Sequence, residues 1–197
     1  MNYWDNLMGD DEGAANYMET YGEGKNTPLR LKIASYINKR DWVLDVGCGP
    51  GWNFDTFMES GPAVYYRGID YSERFVRVAN QRTGMKIFKL GDVRTIDEPD
   101  ESFDVVILQD VLEHTNGYEK PILEALRVAR KRIIITFWHL TENDDHINDD
   151  GDDGWGAWYS RPKWEEFLDS LGYKWITEQI PRKGAFHDFY IIDKEEA

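Results

Sequence analysis

Three stretches of the chain hold residues whose types and spacing can do chemistry. Val43-Leu44-Asp45-Val46-Gly47-Cys48-Gly49-Pro50-Gly51 sets an apolar run directly before a glycine-rich turn, and glycine there lets backbone approach a nucleotide closely because no Cβ intervenes. Gly68-Ile69-Asp70-Tyr71-Ser72 ends a second apolar run on an acid, where a carboxylate can accept hydrogen bonds from two vicinal ribose hydroxyls. Gln109-Asp110-Val111-Leu112-Glu113-His114 follows another apolar run, and His114 is placed to act as a general base. The glycine pattern is G-x-G-x-G. A dinucleotide fingerprint needs glycine at position 52, where this chain has Trp52, so NAD fits poorly.

Positioning these residues requires strands that end together and helices that start beside them. Apolar runs predict strands at 42–46, 65–70, 86–89, 103–108 and 132–137, separated by amphipathic segments at 52–60, 72 to about 83, and 118–129. That alternation predicts βαβ units: an α/β, Rossmann-like, seven-stranded and mostly parallel sheet with helices on both faces. Ser160 before Arg161-Pro162 and Gly172 after Leu171 bracket a late helix. A final antiparallel pair at 174–179 and 186–192 completes the seven. Thr27-Pro28 opens a helix running to about Ile37, and residues 9–24 read as a Gly- and acid-rich cap or arm. The expected organisation is one structural domain, with a helical cap or arm over 1–40 ahead of a cofactor-binding domain over 41–197.

In order and at this spacing, the glycine turn, Asp70, Gly91-Asp92-Val93 and the segment after the fourth strand resemble class I S-adenosylmethionine-dependent methyltransferases of the type 11 kind. The resemblance implies that Asp45, Gly47, Cys48, Gly49 and Gly51 build the cofactor turn and that Asp70 binds the ribose hydroxyls. It implies further that Tyr71 lies against the adenine, that Asp92 and Val93 form the adenine-reading turn, and that the end of the fourth strand lies beside the methionine half. Thr27-Pro28-Leu29-Arg30-Leu31 together with Leu112-Glu113-His114 is similar to the ubiquinone-pathway O-methyltransferases and their relatives. By that match Arg30 holds the cofactor carboxylate and Gln109 lines the same pocket. Glu113 and His114 are then the catalytic candidates. In some relatives, and in small-RNA terminal 2′-O-methyltransferases, an E-x-x-E-H motif binds a divalent metal; the counterpart here is Asp110, Glu113 and His114, with His139 or His146 nearby. The implied cofactor is S-adenosylmethionine, and the implied activity is methyl transfer to an oxygen or nitrogen of a small molecule. The alternative is a non-catalytic cofactor-binding regulator or partner subunit.

Composition narrows the acceptor. With 23 Lys plus Arg against 37 Asp plus Glu, the net charge of −14 disfavours nucleic acid. No apolar run is long enough to insert in a membrane, and neither a basic start nor an apolar core marks a secretory signal, so the expected setting is the cytoplasm, as a monomer or homodimer. The single cysteine, Cys48, forms no internal disulfide. Residues 138–160 hold seven acids, no Lys or Arg, and two histidines. A calcium loop starting at Asp149 fails, because it puts Gly151 at its third ligand position and Ser160 at its twelfth. The segment reads as a solvated loop whose Trp155, Trp158 and Tyr159 form a lid over an acceptor pocket.

Overall fold

Neighbouring residues on the central strands point to opposite layers, as a period of two requires when both faces of a sheet are covered. Val43, Val105, Ile107 and Ile134 enter one apolar layer, while Leu44, Val46, Val106, Leu108 and Ile133 enter the other. The computed structural model describes residues 27–149 and 155–195, together with Gly13. The cap expected over 9–24 lies, apart from Gly13, outside the described residues.

In chain order the elements are α1 Pro28–Ser35, β1 Trp42–Val46, α2 Trp52–Glu59, β2 Tyr65–Asp70, α3 Glu73–Thr83, β3 Phe88–Leu90, β4 Phe103–Gln109, a 3₁₀ turn at Leu112–His114, α4 Glu119–Val128, β5 Ala129–Phe137, β6 His146–Asp149, β7 Trp155–Trp158, α5 Arg161–Ser170, β8 Lys174–Arg182 and β9 Ala185–Asp193. Seven strands form one sheet in the order β3-β2-β1-β4-β5-β9-β8. The first five are parallel, and β9 is antiparallel to both β5 and β8. The first crossovers run outward from β1 to β2 and β3, and the chain then returns to place β4 on the other side of β1. That reversal opens a crevice at the carboxyl ends of β1 and β4. Among the described residues no helix is long and apolar enough to cross a membrane.

Local chemistry explains the helix starts around the crevice. Thr27 Oγ1 accepts from Arg30 N at 3.3 Å, with Pro28 in the first turn. Ser72 Oγ accepts from Phe75 N at 3.2 Å, and Gly84 at φ 68° ends α3. Ile122, Ala125 and Leu126 of α4 and Trp164 and Leu168 of α5 fill one layer; Leu29 and Ile33 of α1 and Phe57 of α2 fill the other.

Four boundaries differ from the sequence reading. β3 starts at Phe88 rather than Lys86, where Asn80 Nδ2 donates to Phe88 O at 2.9 Å and Asn80 Oδ1 accepts from Phe88 N at 3.3 Å. β5 starts at Ala129, directly after α4, because the cations that look like a loop are paired at the sheet floor. Arg130 meets Asp104 at 2.8 Å, Lys131 meets Asp41 at 3.0 Å and Arg132 meets Asp193 at 3.1 Å. The last two strands reach to Arg182 and back from Ala185, which leaves a two-residue turn. Within 138–160 a small hairpin forms, β6 against β7, pairing His146 with Trp158 and Ile147 with Ala157.

Candidate functional site

The turn after β1 is bent by its own amides. Gly47 N and Cys48 N both donate to Ile69 O at the end of β2, at 2.8 and 3.0 Å. The backbone must take φ values of 70° at Gly47 and 52° at Gly49, a region where a side chain is strained. Gly47 also lacks space: a Cβ there would stand 2.4 Å from Val111 Cγ2. Gly51 at φ 90° supplies the N-cap of α2 and packs on Phe88, outside the cavity wall.

Asp45 lies beneath this turn and does not line the cavity. It is buried, and its Oδ2 accepts from Tyr66 OH at 2.6 Å and Asn53 Nδ2 at 3.2 Å. Burial raises its carboxyl pKa to about 6 against the opposing pull of those two hydrogen bonds. Between 3.8 and about 6 the folded chain therefore holds a proton that the unfolded chain has released. The stability this group gives at low pH is lost as pH rises through that window, on the order of 3 kcal/mol in all. Asp45→Asn removes the titrating group and with it the dependence. The expected result is a melting temperature that gains on the wild type's between pH 4 and pH 7. A difference constant over that range would refute the assignment.

Asp70 joins the turn to α3. Its Oδ2 accepts from Gly49 N at 2.7 Å and its Oδ1 from Ser72 N at 2.8 Å. Asp70 lines a cavity of about 940 Å³ whose wall also includes Arg30, Cys48, Tyr71, Val93 and Gln109. Gly47, Gly49 and Asp92 line it too. The Arg94 guanidinium beside Asp92, at 2.7 Å, holds that carboxyl below its usual range. Arg30 is buried with its guanidinium 5.0 Å from the centre of the Trp52 ring. Burial, with Asp70 and Asp45 nearby, pushes the Cys48 thiol well above its ordinary pKa, so this sulfur stays protonated.

The segment after β4 divides the expected catalytic pair. His114 lines the cavity, edge-on to Trp138 with ring centroids 4.9 Å apart. Glu113 does not: it is buried, its Oε1 accepts from Trp138 N at 2.5 Å, and burial raises its pKa well above the usual range. Adjacent side chains of this 3₁₀ turn point to different sides, so Glu113 acts as a tie to the loop after β5. The proposed metal set fails for the same reason. Asp110 accepts from Thr136 Oγ1 at 2.7 Å while Glu113 faces Trp138 N, and among the described residues no three His, Cys, Asp or Glu side chains converge on a metal position.

The aromatic lid also needs correction. Tyr159 is buried, its OH donating to Thr115 O at 2.5 Å and accepting from Gly117 N at 3.0 Å. Trp158 leans on His146, and the side chain of Trp155 lies outside the described residues. Neither Trp158 nor Tyr159 lines the cavity; Trp138 does. Residues not found from sequence are Trp138, His187 and the Arg182-Lys183 turn, all in the cavity wall. His187 alternates with Phe186 and Asp188 in an otherwise apolar strand, and only the register of β9 assigns it a direction.

The cavity fits the implied cofactor. Its glycine turn stands open at Gly49, where an added Cβ would meet nothing within 4 Å, and a buried carboxylate reaches it at Asp70. About 940 Å³ is at the upper end of the roughly 300–1,000 Å³ common for small-molecule sites, which leaves room for a second ligand.

Comparison with known proteins agrees. Residues 44–137 match a family model described as a methyltransferase domain. An uncharacterised methyltransferase of Schizosaccharomyces pombe is 30% identical over 109 residues, 50% of this chain and 39% of that one. A phosphatidylethanolamine N-methyltransferase of Cereibacter sphaeroides is 29% identical over 124 residues, 59% of each chain. The chain thus spans less than two thirds of either relative. Magnesium protoporphyrin IX methyltransferase of Synechocystis, solved with bound S-adenosylmethionine, superposes with a TM-score of 0.62 at 18% identity, over 97% of this chain and 89% of that one. At that identity the likeness speaks for the fold.

Proposed function

We propose, from the match of residues 44–137 to a family model described as a methyltransferase domain, that the chain is a class I S-adenosylmethionine-dependent methyltransferase and moves a methyl group from S-adenosylmethionine to an oxygen or nitrogen of a small molecule. The observation that carries this reading is one cavity lined both by Gly47, Gly49, Asp70 and Asp92 and by His114, Trp138 and His187.

The cofactor supplies an activated methyl group and leaves as a neutral thioether. What remains for the protein is alignment, which can supply much of the rate. Asp70 would accept from the ribose hydroxyls, Asp92 from the adenine amine, and Arg30 would hold the carboxylate, with Gln109 beside it. Tyr71, exposed at the cavity's lip, would cover the adenine. His114 and Trp138 would form a wall that seats a planar acceptor and sheds water.

The test is calorimetric titration with S-adenosylmethionine, followed by release of S-adenosylhomocysteine in the presence of phenols, carboxylic acids and amines. Binding with release for at least one acceptor is the expected result. Binding without any release would favour a cofactor-binding regulator, and no binding would reject the reading.

A further inference from the structure

We propose that His187, oriented by Asp110, takes the proton of the acceptor, so that the methylated atom is one that carries an ionisable hydrogen, a hydroxyl oxygen or an amine nitrogen. This rests on the methyltransferase reading above and adds to it the residue that handles the proton.

Three elements meet at this point. His187 lies one residue past the last β5–β9 pair, Phe137 with Asp188. It shares a face with Phe189 and Ile191, which pack in the same layer as Leu29 and Ile33 of α1. Its ring lines the cavity, and its Nδ1 stands 3.4 Å from Asp110 Oδ1. That nitrogen is closed off from solvent and makes no well-formed hydrogen bond, so the exposure the ring keeps is on its other atoms. The contact with Asp110 is within ion-pair reach but long for a hydrogen bond, as catalytic hydrogen bonds often are before a ligand closes the site.

Asp110 is fixed from below. Its Oδ1 accepts from Thr136 Oγ1 at 2.7 Å, and Thr136 Oγ1 accepts from Asp110 N at 3.1 Å. Its φ of 53° puts a non-glycine residue in the left-handed region, a strain that persists only where the surroundings hold it and that clusters at functional sites. The result is a Thr-Asp-His array drawn from β5, the turn after β4, and β9. A carboxylate facing Nδ1 favours the tautomer protonated there and leaves Nε2 bare toward the ligand, and it stabilises the imidazolium that follows. The other charged or titratable groups of this cavity wall are Arg30, Cys48, Asp70, Tyr71, Asp92, Arg94 and His114, with Arg182 and Lys183 of the β8–β9 turn, and the buried Glu113 carboxyl lies within electrostatic reach of Asp110.

For a hydroxyl acceptor, an oxygen lone pair forms the O–C bond as the C–S bond breaks and leaves its pair on sulfur. The proton passes from oxygen to His187 Nε2, and is returned to water after the products leave. For a protonated amine the same nitrogen takes the proton before attack.

Two measurements test the proposal on the full chain. In ¹⁵N-histidine spectra of protein saturated with S-adenosylhomocysteine, His187 is expected to be protonated at Nδ1 at neutral pH, with that preference weakened by Asp110→Asn. A neutral ring protonated at Nε2 would overturn the proposal, and this result stands whether or not an acceptor has been found. With an acceptor that turns over, His187→Gln should lower kcat by about 100-fold or more while leaving S-adenosylmethionine affinity and KM nearly unchanged. A variant that keeps the wild-type rate would overturn it. Loss of cofactor binding by the wild type would instead sink the underlying function.

Discussion

Asp70→Ala is expected to weaken S-adenosylmethionine binding by about 1–3 kcal/mol, roughly 5- to 150-fold in Kd, read by calorimetric titration. Two losses combine. The carboxylate no longer accepts from ribose hydroxyls, and it no longer links Gly49 N to Ser72 N across the mouth of the cavity. Asp70→Asn separates them, because its amide nitrogen cannot accept from one of those two backbone donors while its remaining oxygen still serves the other. Affinity for Asp70→Asn should therefore fall between wild type and Asp70→Ala. An alanine variant that binds as tightly as the wild type would remove Asp70 from the site.

Gly47→Ala should destabilise the fold by about 2–5 kcal/mol. A left-handed backbone costs an L-residue roughly 1–2 kcal/mol, and overpacking adds about 1–3. The clash is with Val111 Cγ2 at 2.4 Å and Cγ1 at 3.3 Å. The second substitution Val111→Ala removes both atoms, so the double variant should recover the packing part and retain the backbone part. Urea unfolding of the four members of that cycle reads the coupling, expected between about 0.5 and 3 kcal/mol. Additive effects would mean that the turn after β1 does not press on the turn after β4.

The strand ends and turns on the β1–β2 side of the cavity are readable from local pattern. The end of β1, the glycine turn, the acid closing β2 and the Ser72 cap each depend on neighbours within a few residues, and period-two or helical spacing fixes their directions. The rest depends on pairing across distance. Whether His187 points to the cavity turns on the register of β9 against β5, which one histidine in an apolar strand does not reveal. Glu113 and His114 part because adjacent side chains of a helical turn point to different sides, and the partner of Glu113 is Trp138 N, 25 residues on. The segment 138–160 hid a hairpin under its acids, since charge density resembles a solvated loop until His146 is set opposite Trp158. The cations at 130–131 hide the start of β5 for the complementary reason: their partners, Asp104 and Asp41, are distant in sequence.

The direction of β9 has an effect beyond completing the sheet. A strand running parallel to β5 would meet the crevice with its last residues; because β9 runs the other way, it arrives there with its first, and the Lys183-Gly184 turn hangs over the opening like an awning. Lengthening or recharging that turn alters what may enter from above without disturbing a single parallel pairing below. The family match ends at residue 137, so this overhang lies beyond the matched segment.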